Sequence, residues 1–268
     1  MKEFAAYSAS VAIGLCLGLI GAGGSILTIP VFVYILKTDP VSATIYSMFI
    51  VGICSLVGSI KSCCKKLVDI KVAILFGIPS VAGVFIARKL LFPALPEKFF
   101  SVGSFIVTKN IFIMLSLAVV MFSASAKMLQ TQAAAGIADK NRQCKIWMFL
   151  VQGLFVGIVT GLLGVGGGFL IVPALLVWVR LPMKAAIGTT LLIITINSAA
   201  GFVSSYTAVV IEWPLLLKFA IGAIAGILGG IKLAEKIPAA NLKKLLGWFI
   251  MVTSVYVLYR QFEGAKLK

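Results

Sequence analysis

The chain has 268 residues, 61% of them hydrophobic and only 12% charged, with a mean hydropathy of +1.12. A soluble domain carries about a quarter charged residues, so this composition excludes a soluble enzyme, a disordered protein and a nucleic-acid binder. The length accommodates roughly eight to ten membrane helices at about 20 residues each. The net charge of +16 then reads as membrane orientation by cytoplasmic Lys and Arg, with a bias toward anionic cargo.

In chain order, Met1-Lys2-Glu3 and the apolar run to Ile20 have the outline of a signal peptide. A counterpart inside the chain argues that the segment is retained. The apolar segment 4–20 runs into a glycine cluster, followed by a short segment, 25–36, too short to cross a bilayer alone. Full spans are predicted at 42–60, 70–91 and 110–129, with extra residues near 99–109. The polar stretch 130–145 holds Gln130, Gln132, Asp139, Lys140, Asn141 and Arg142 and reads as a linker. The same plan then recurs: 146–163, a glycine cluster, 168–179, and spans at 185–205, 213–232 and 242–260.

The recurrence is a repeat. Gly18-Leu-Ile-Gly-Ala-Gly-Gly-Ser-Ile-Leu-Thr-Ile-Pro30 matches Gly161-Leu-Leu-Gly-Val-Gly-Gly-Gly-Phe-Leu-Ile-Val-Pro173 at an offset of 143 residues. The register continues without a gap to Leu90 against Leu233. It pairs Ser47 with Thr190, Ser55 with Ser198, Asp69 with Glu212 and Lys89-Leu90 with Lys232-Leu233. Shared apolar composition does not align Gly, Pro and acidic positions in one register, so a duplication is inferred.

Topology follows from charge. Loop 61–71 holds Lys61, Lys65, Lys66 and Lys71, and its repeat mate, 204–212, holds no Lys or Arg. Equivalent loops therefore face opposite sides. That follows if each glycine region is a hairpin returning to its starting side; a single broken crossing would instead leave the charges evenly split. The sequence thus predicts an all-α polytopic membrane protein with two inverted repeats. They occupy 1–129 and 146–268 and are joined by a cytoplasmic linker at 130–145. Each has a glycine-broken helical hairpin plus three spans.

The glycine boxes carry the candidate chemistry. Gly21, Gly23 and Gly24, with Ser25 after them, and Gly164, Gly166, Gly167 and Gly168 interrupt apolar helices at corresponding positions. Glycine is poor in a helix interior, and unwound backbone at membrane depth is tolerated only inside protein or beside a wet cavity. A short helix after each box aims free N–H groups and a positive helix end into the gap, which suits an anion. Two such boxes would hold one ligand near the midplane. The competing reading is that the glycines only let helices pack closely.

The paired G-x-x-G-x-G-G-x-x-x-x-x-P boxes, with Ala186-Ile187-Gly188-Thr189-Thr190-Leu191 after the second, resemble the sulfite exporter TauE/SafE family of membrane permeases. The likeness spans about residues 5–262. It implies a multi-pass plasma (inner) membrane transporter for sulfite, organosulfonates or related sulfur-containing anions. The first half departs from the pattern, with Thr44-Ile45-Tyr46-Ser47 where the second has Ile187-Gly188-Thr189-Thr190.

Ser47, Thr189, Thr190 and Asn197 are candidate hydrogen-bond donors to anion oxygens, or else bond between helices or to their own backbone. Lys218 sits early in a span and either snorkels to the interface or draws anions to a cavity mouth. All eight carboxylates fall at termini or predicted loops, which disfavours a proton relay through a buried side chain. With no His and no CxxC, nothing suggests a metal or other cofactor, a catalytic residue or an enzyme. The partners expected are a small anionic substrate and the lipid bilayer, with no nucleic acid; a homo-oligomer is left open. A non-transporting membrane scaffold or assembly factor is the alternative class.

Overall fold

The computed structural model describes residues 2–266 apart from 22, 92–97, 103–104, 109–114, 117, 120–121, 124, 127–145, 164–167, 180 and 210. The polar linker, most of the span at 110–129, and Gly164, Gly166 and Gly167 therefore lie outside the described residues. What is described is helical almost throughout. The exception is a two-stranded antiparallel ribbon, β1 (Lys98–Val102) and β2 (Phe105–Thr108), with Val102 opposite Phe105. It falls in the extra segment of the first half, an addition to the helical plan that the repeat alone does not contain.

The helices in order are α1 (Lys2–Ile20), α2 (Gly23–Pro30), α3 (Pro40–Cys64), α4 (Ile70–Ile86), α5 (Ile146–Leu163), α6 (Gly168–Ala174), α7 (Met183–Val203), α8 (Trp213–Lys236) and α9 (Ala239–Lys266). Wider π-helical turns extend α2 over Val31–Ile35, α4 over Ala87–Leu91 and α6 over Leu175–Val179. Proline inside α2 (Pro30) and α6 (Pro173) precedes the widening in both, as expected where the ring removes a backbone donor. The starts of α3 and α4 are set locally. Asp39 and Asp69 accept the N–H groups of Val41 (3.0 Å) and Val72 (3.1 Å), and Pro40 opens α3.

Pro40–Cys64, Ile70–Leu91, Met183–Val203 and Trp213–Lys236 are long and apolar enough to cross a bilayer. Large apolar side chains such as Ile74, Ile78, Trp147, Phe155 and Ile221 stand exposed on the outer surface, where a soluble protein would be polar and a lipid-facing one is not.

Packing follows the duplication. A Cβ added to Gly14 would strike the Ala223 carbonyl oxygen at 1.9 Å, and one added to Gly157 would strike that of Ser80 at 2.0 Å. Gly14 and Gly157 are repeat mates, and so are Ser80 and Ala223. Likewise Gly83 abuts Leu154 and Ile158 while Gly226 abuts Val11 and Leu15. The loop before α4 donates from Asp69 N–H to Thr189 Oγ1 (3.0 Å), and the loop before α8 from Glu212 N–H to the Tyr46 hydroxyl (3.2 Å). Donors and acceptors again differ by the same offset. Each of these contacts crosses between halves: α1 lies along α8, and α5 along α4.

The same contacts give relative directions. Val11 and Leu15 meet Gly226 and Gly230 in increasing order, so α1 and α8 run parallel; Phe76, Ser80 and Val84 meet Gly153, Gly157 and Gly161, so α4 and α5 do too. Met48, Gly52 and Gly58 of α3 meet Gly201, Ser198 and Leu191 of α7, in opposite order. The two central helices are thus antiparallel and cross near Gly52. Phe32, packed edge-on against Tyr46 and tilted against Phe219 with ring centroids at 5.6 and 4.9 Å, anchors the larger apolar core.

Candidate functional site

At the first glycine box α1 ends at Ile20 and α2 begins at Gly23. The Gly21 N–H still bonds the Leu17 carbonyl (2.8 Å), but its φ of +72° turns the chain out of α1, a conformation open to glycine and costly for residues with a Cβ. A Cβ there would also fall 2.8 Å from Ile187 Cγ2 on the first turn of α7. Gly23 and Gly24, then Ser25, begin α2, and Gly168 begins α6 as a buried residue.

A narrow cavity adjoins this break. Gly18, Ile187, Leu191 and Ile231 form its wall, and Lys65, Lys184 and Glu235 stand at its mouth. Lys65 and Glu235 are ion-paired, and Lys184 Nζ reaches the Glu235 carbonyl at 3.5 Å. Loop 61–71, the start of α7 and the end of α8 therefore share one end of the bundle, the lysine-rich end.

At the opposite end stands Arg88. It is 3% exposed, and its Nη1 donates to Thr44 Oγ1 at 3.3 Å. The sequence puts Arg88 near the end of the predicted span 70–91 without singling it out; the structure holds it within the extended α4, inside the bundle. One signal for it was in the sequence: in the repeat register Arg88 faces Ile231, an apolar position, whereas neighbouring Lys89 faces Lys232. A charge whose mate is a buried aliphatic does not belong to a shared loop.

Between the ends, the α3–α7 crossing carries Asn197 and Ser198. Asn197 Nδ2 donates to Ser80 Oγ at 2.7 Å, and Ser198 Cβ sits beside Gly52. Four buried polar atoms on these two helices have no hydrogen-bond partner: Ser47 Oγ, Thr190 Oγ1, Asn197 Oδ1 and Ser198 Oγ. The side chains are essentially inaccessible. A buried polar atom without a partner costs about 1–3 kcal/mol, so four along one helix pair stand out from the rest of the packed interior.

The sequence candidates thus divide. Thr190 lies three residues along α7 from Ile187, the residue that abuts Gly21, with Thr189 holding the loop before α4. Asn197 lies at the crossing. Ser47 lies one turn in from Thr44, near Arg88. Because α3 and α7 are antiparallel, Ser47 and Thr190 are not brought together; they stand toward opposite ends, about 20 Å apart at 1.5 Å per residue. Lys218 is exposed on the surface of α8 and does not face the polar interior.

Membrane-spanning helices around a buried polar track define a polytopic transport protein. The comparisons agree with that class. The family model for the sulfite exporter TauE/SafE matches residues 6–257, and the chain belongs to that family. A Xylella fastidiosa protein named "probable membrane transporter protein" is 27% identical over 94% of this chain and 93% of its own length. Proteins with the same description from Methanocaldococcus jannaschii and Bacillus subtilis are each 26% identical, covering 92% and 93% of this chain and 91% and 96% of theirs. No solved structure matches.

Proposed function

We propose that the chain is a plasma-membrane permease for a small anion: sulfite, an organosulfonate or a related sulfur-containing anion. One observation carries this reading. The central helices hold a series of buried polar groups, from Thr44 and Ser47 past Ser198 and Asn197 to Thr190, and four of their atoms lack a partner. In lipid such groups are expensive and are kept where a solute passes. Asn197 and Ser198, at the crossing, are the midplane station in this proposal, with Ser47 and Thr190 on the two approaches. Gly21 adjoins one approach to that route, and backbone N–H groups of the two glycine boxes are proposed as further donors to the anion.

The permease is proposed to consist of the inverted halves 1–129 and 146–268. Support comes from the antiparallel run of α3 against its mate α7, and from α1 and α3 sharing one direction. Shared direction requires the segment through Gly21 and α2 to turn back between them. Residues 65 and 139 are then cytoplasmic and residue 208 external. Impermeant cysteine labelling that found positions 65 and 208 on the same side would end the inverted reading.

The functional test is flux in proteoliposomes with sulfite, thiosulfate, taurine, sulfoacetate and simple carboxylates. Saturable uptake of at least one is expected. Neither flux nor a thermal shift with any of them would return the chain to the scaffold class.

A further inference from the structure

We propose that Arg88, Thr44 and Ser47 form an oxyanion-selective station at the arginine end of the bundle, where the transported anion is held on entering or leaving. This rests on the permease reading and deepens it.

The repeat fixes the place. At the lysine-rich end, Gly18, Ile187, Leu191 and Ile231 wall a cavity. Their mates, 143 positions away in the register, are Gly161, Thr44, Met48 and Arg88. The backbone around both sets is packed alike: Gly18 abuts Ile227 and Gly230, and Gly161 abuts Val84 and Ala87. The arginine set therefore occupies the corresponding position at the other end. Two isoleucines of one wall are a guanidinium and a hydroxyl in the other.

The chemistry is that of an oxyanion site. A guanidinium is planar and suited to present paired N–H groups to two oxygens of one anion. Thr44 already orients it through the 3.3 Å bond to Nη1. Ser47 lies one helical turn further along the same face of α3, fully buried, with a hydroxyl oxygen that has no hydrogen-bond partner. Its O–H is available to a third oxygen of a sulfite or sulfonate. A halide has no pair of oxygens for the fork to grip. The lysines of the other end are partly or fully exposed and act through a screened field, so they supply attraction without this geometry.

The experiment measures initial rates in right-side-out and inside-out vesicles with sulfite, taurine and acetate, with chloride as competitor. Wild-type protein is measured first. Absence of flux with every probe refutes the permease reading and this station with it. With flux in hand, Arg88→Gln should raise KM by about tenfold and Arg88→Lys by less, since an ammonium keeps the charge but loses the fork. Ser47→Ala should raise KM about threefold with an unchanged melting temperature, because it deletes a hydroxyl that bonds nothing in the fold. The KM effects should be larger for anions presented to the face opposite residue 65, and chloride should compete weakly. Wild-type KM in both Arg88→Lys and Ser47→Ala, or equal competition by chloride, would overturn the station. So would an Arg88→Gln protein that melts lower yet keeps its KM, which would make Arg88 a helix tie alone.

Discussion

At the lysine-rich end Gly18 nests against Ile227 and Gly230, and the wall beside it is Ile187 and Ile231. At the arginine end Gly161 nests against Val84 and Ala87, and the matching residues are Thr44 and Arg88. The backbones agree because close helix approach leaves no alternative: a Cβ at any of these glycines collides with main chain or with a neighbour's Cβ. The side chains differ because nothing in the packing dictates them. Charge is arranged in opposite ways as well. One end carries lysines in or near solvent, with Lys65 tied to Glu235; the other buries a single guanidinium. Across the 143-residue register the packing is kept while the side chains facing it change.

The comparison can be broken most severely at the glycines. Gly14→Val and Gly157→Val should both prevent recovery of folded, monodisperse protein, since each new Cβ would lie within about 2 Å of a carbonyl oxygen, well beyond the ~1–3 kcal/mol of ordinary overpacking. If only one of the pair mattered in a size-exclusion and melting assay, the two packings would not be equivalent.

Moving the charge is the next test. Ile231→Arg places a guanidinium where the lysine-rich end has an aliphatic wall, and should destabilise by about 3 kcal/mol. Adding Ile187→Thr should recover part of the loss by recreating the Arg88–Thr44 pair, as read by thermal melting. Smaller is Gly21→Ala, which should lower stability by about 1–2 kcal/mol through its positive φ. Combining it with Ile187→Ala relieves the collision but not the backbone strain, so melting should be only partly restored.

Thr190→Val should weaken anion binding severalfold while leaving melting unchanged or slightly raised, because its hydroxyl has no partner in the fold. Lys218→Ala should change binding little, since that side chain faces away from the interior. Anion titrations of the two variants side by side distinguish them. The smallest expected effect is Glu235→Gln. Freeing Lys65 at the cavity mouth should raise flux by no more than about twofold, and only at low salt, because an exposed charge is screened within about 10 Å. A salt-independent gain would show that the ion pair does more than sit at the entrance.

Much of the fold was legible because Gly, Pro and acidic residues keep one register across both halves. The glycine box at Gly21, the short segment after it and spans at 42–60 and 70–91 were read directly, whereas the caps at Asp39 and Asp69 that start α3 and α4 were not. The helix partners could not. A membrane helix is apolar on its lipid face as well as its packed face, so α1 carries no periodic signal that it lies along α8 of the other half. The ribbon at 98–108 was visible only as a break in alignment. Ser47, Thr190 and Asn197 were legible as polar residues in spans, but not their distribution along the α3–α7 pair, which depends on the helices being antiparallel. Arg88 fell inside the predicted span 70–91 but was not singled out, because Lys89 beside it made the pair look like an ordinary span terminus; the mismatch with Ile231 was the available clue.

The cross-half pairing of α1 with α8 has a consequence for how the protein is made. When α1 leaves the ribosome, the helix that will cover Gly14, Gly18 and their neighbours is about two hundred residues away in the message. Its small-residue face must stay uncommitted while α3 through α7 are synthesised and inserted. The last part of the second half then closes over the first helix of the first. A nascent chain stalled before residue 213 has every early span in place and still lacks that seam. What distinguishes such a chain from the finished protein on the α1 side is the uncovered small-residue face of Gly14 and Gly18.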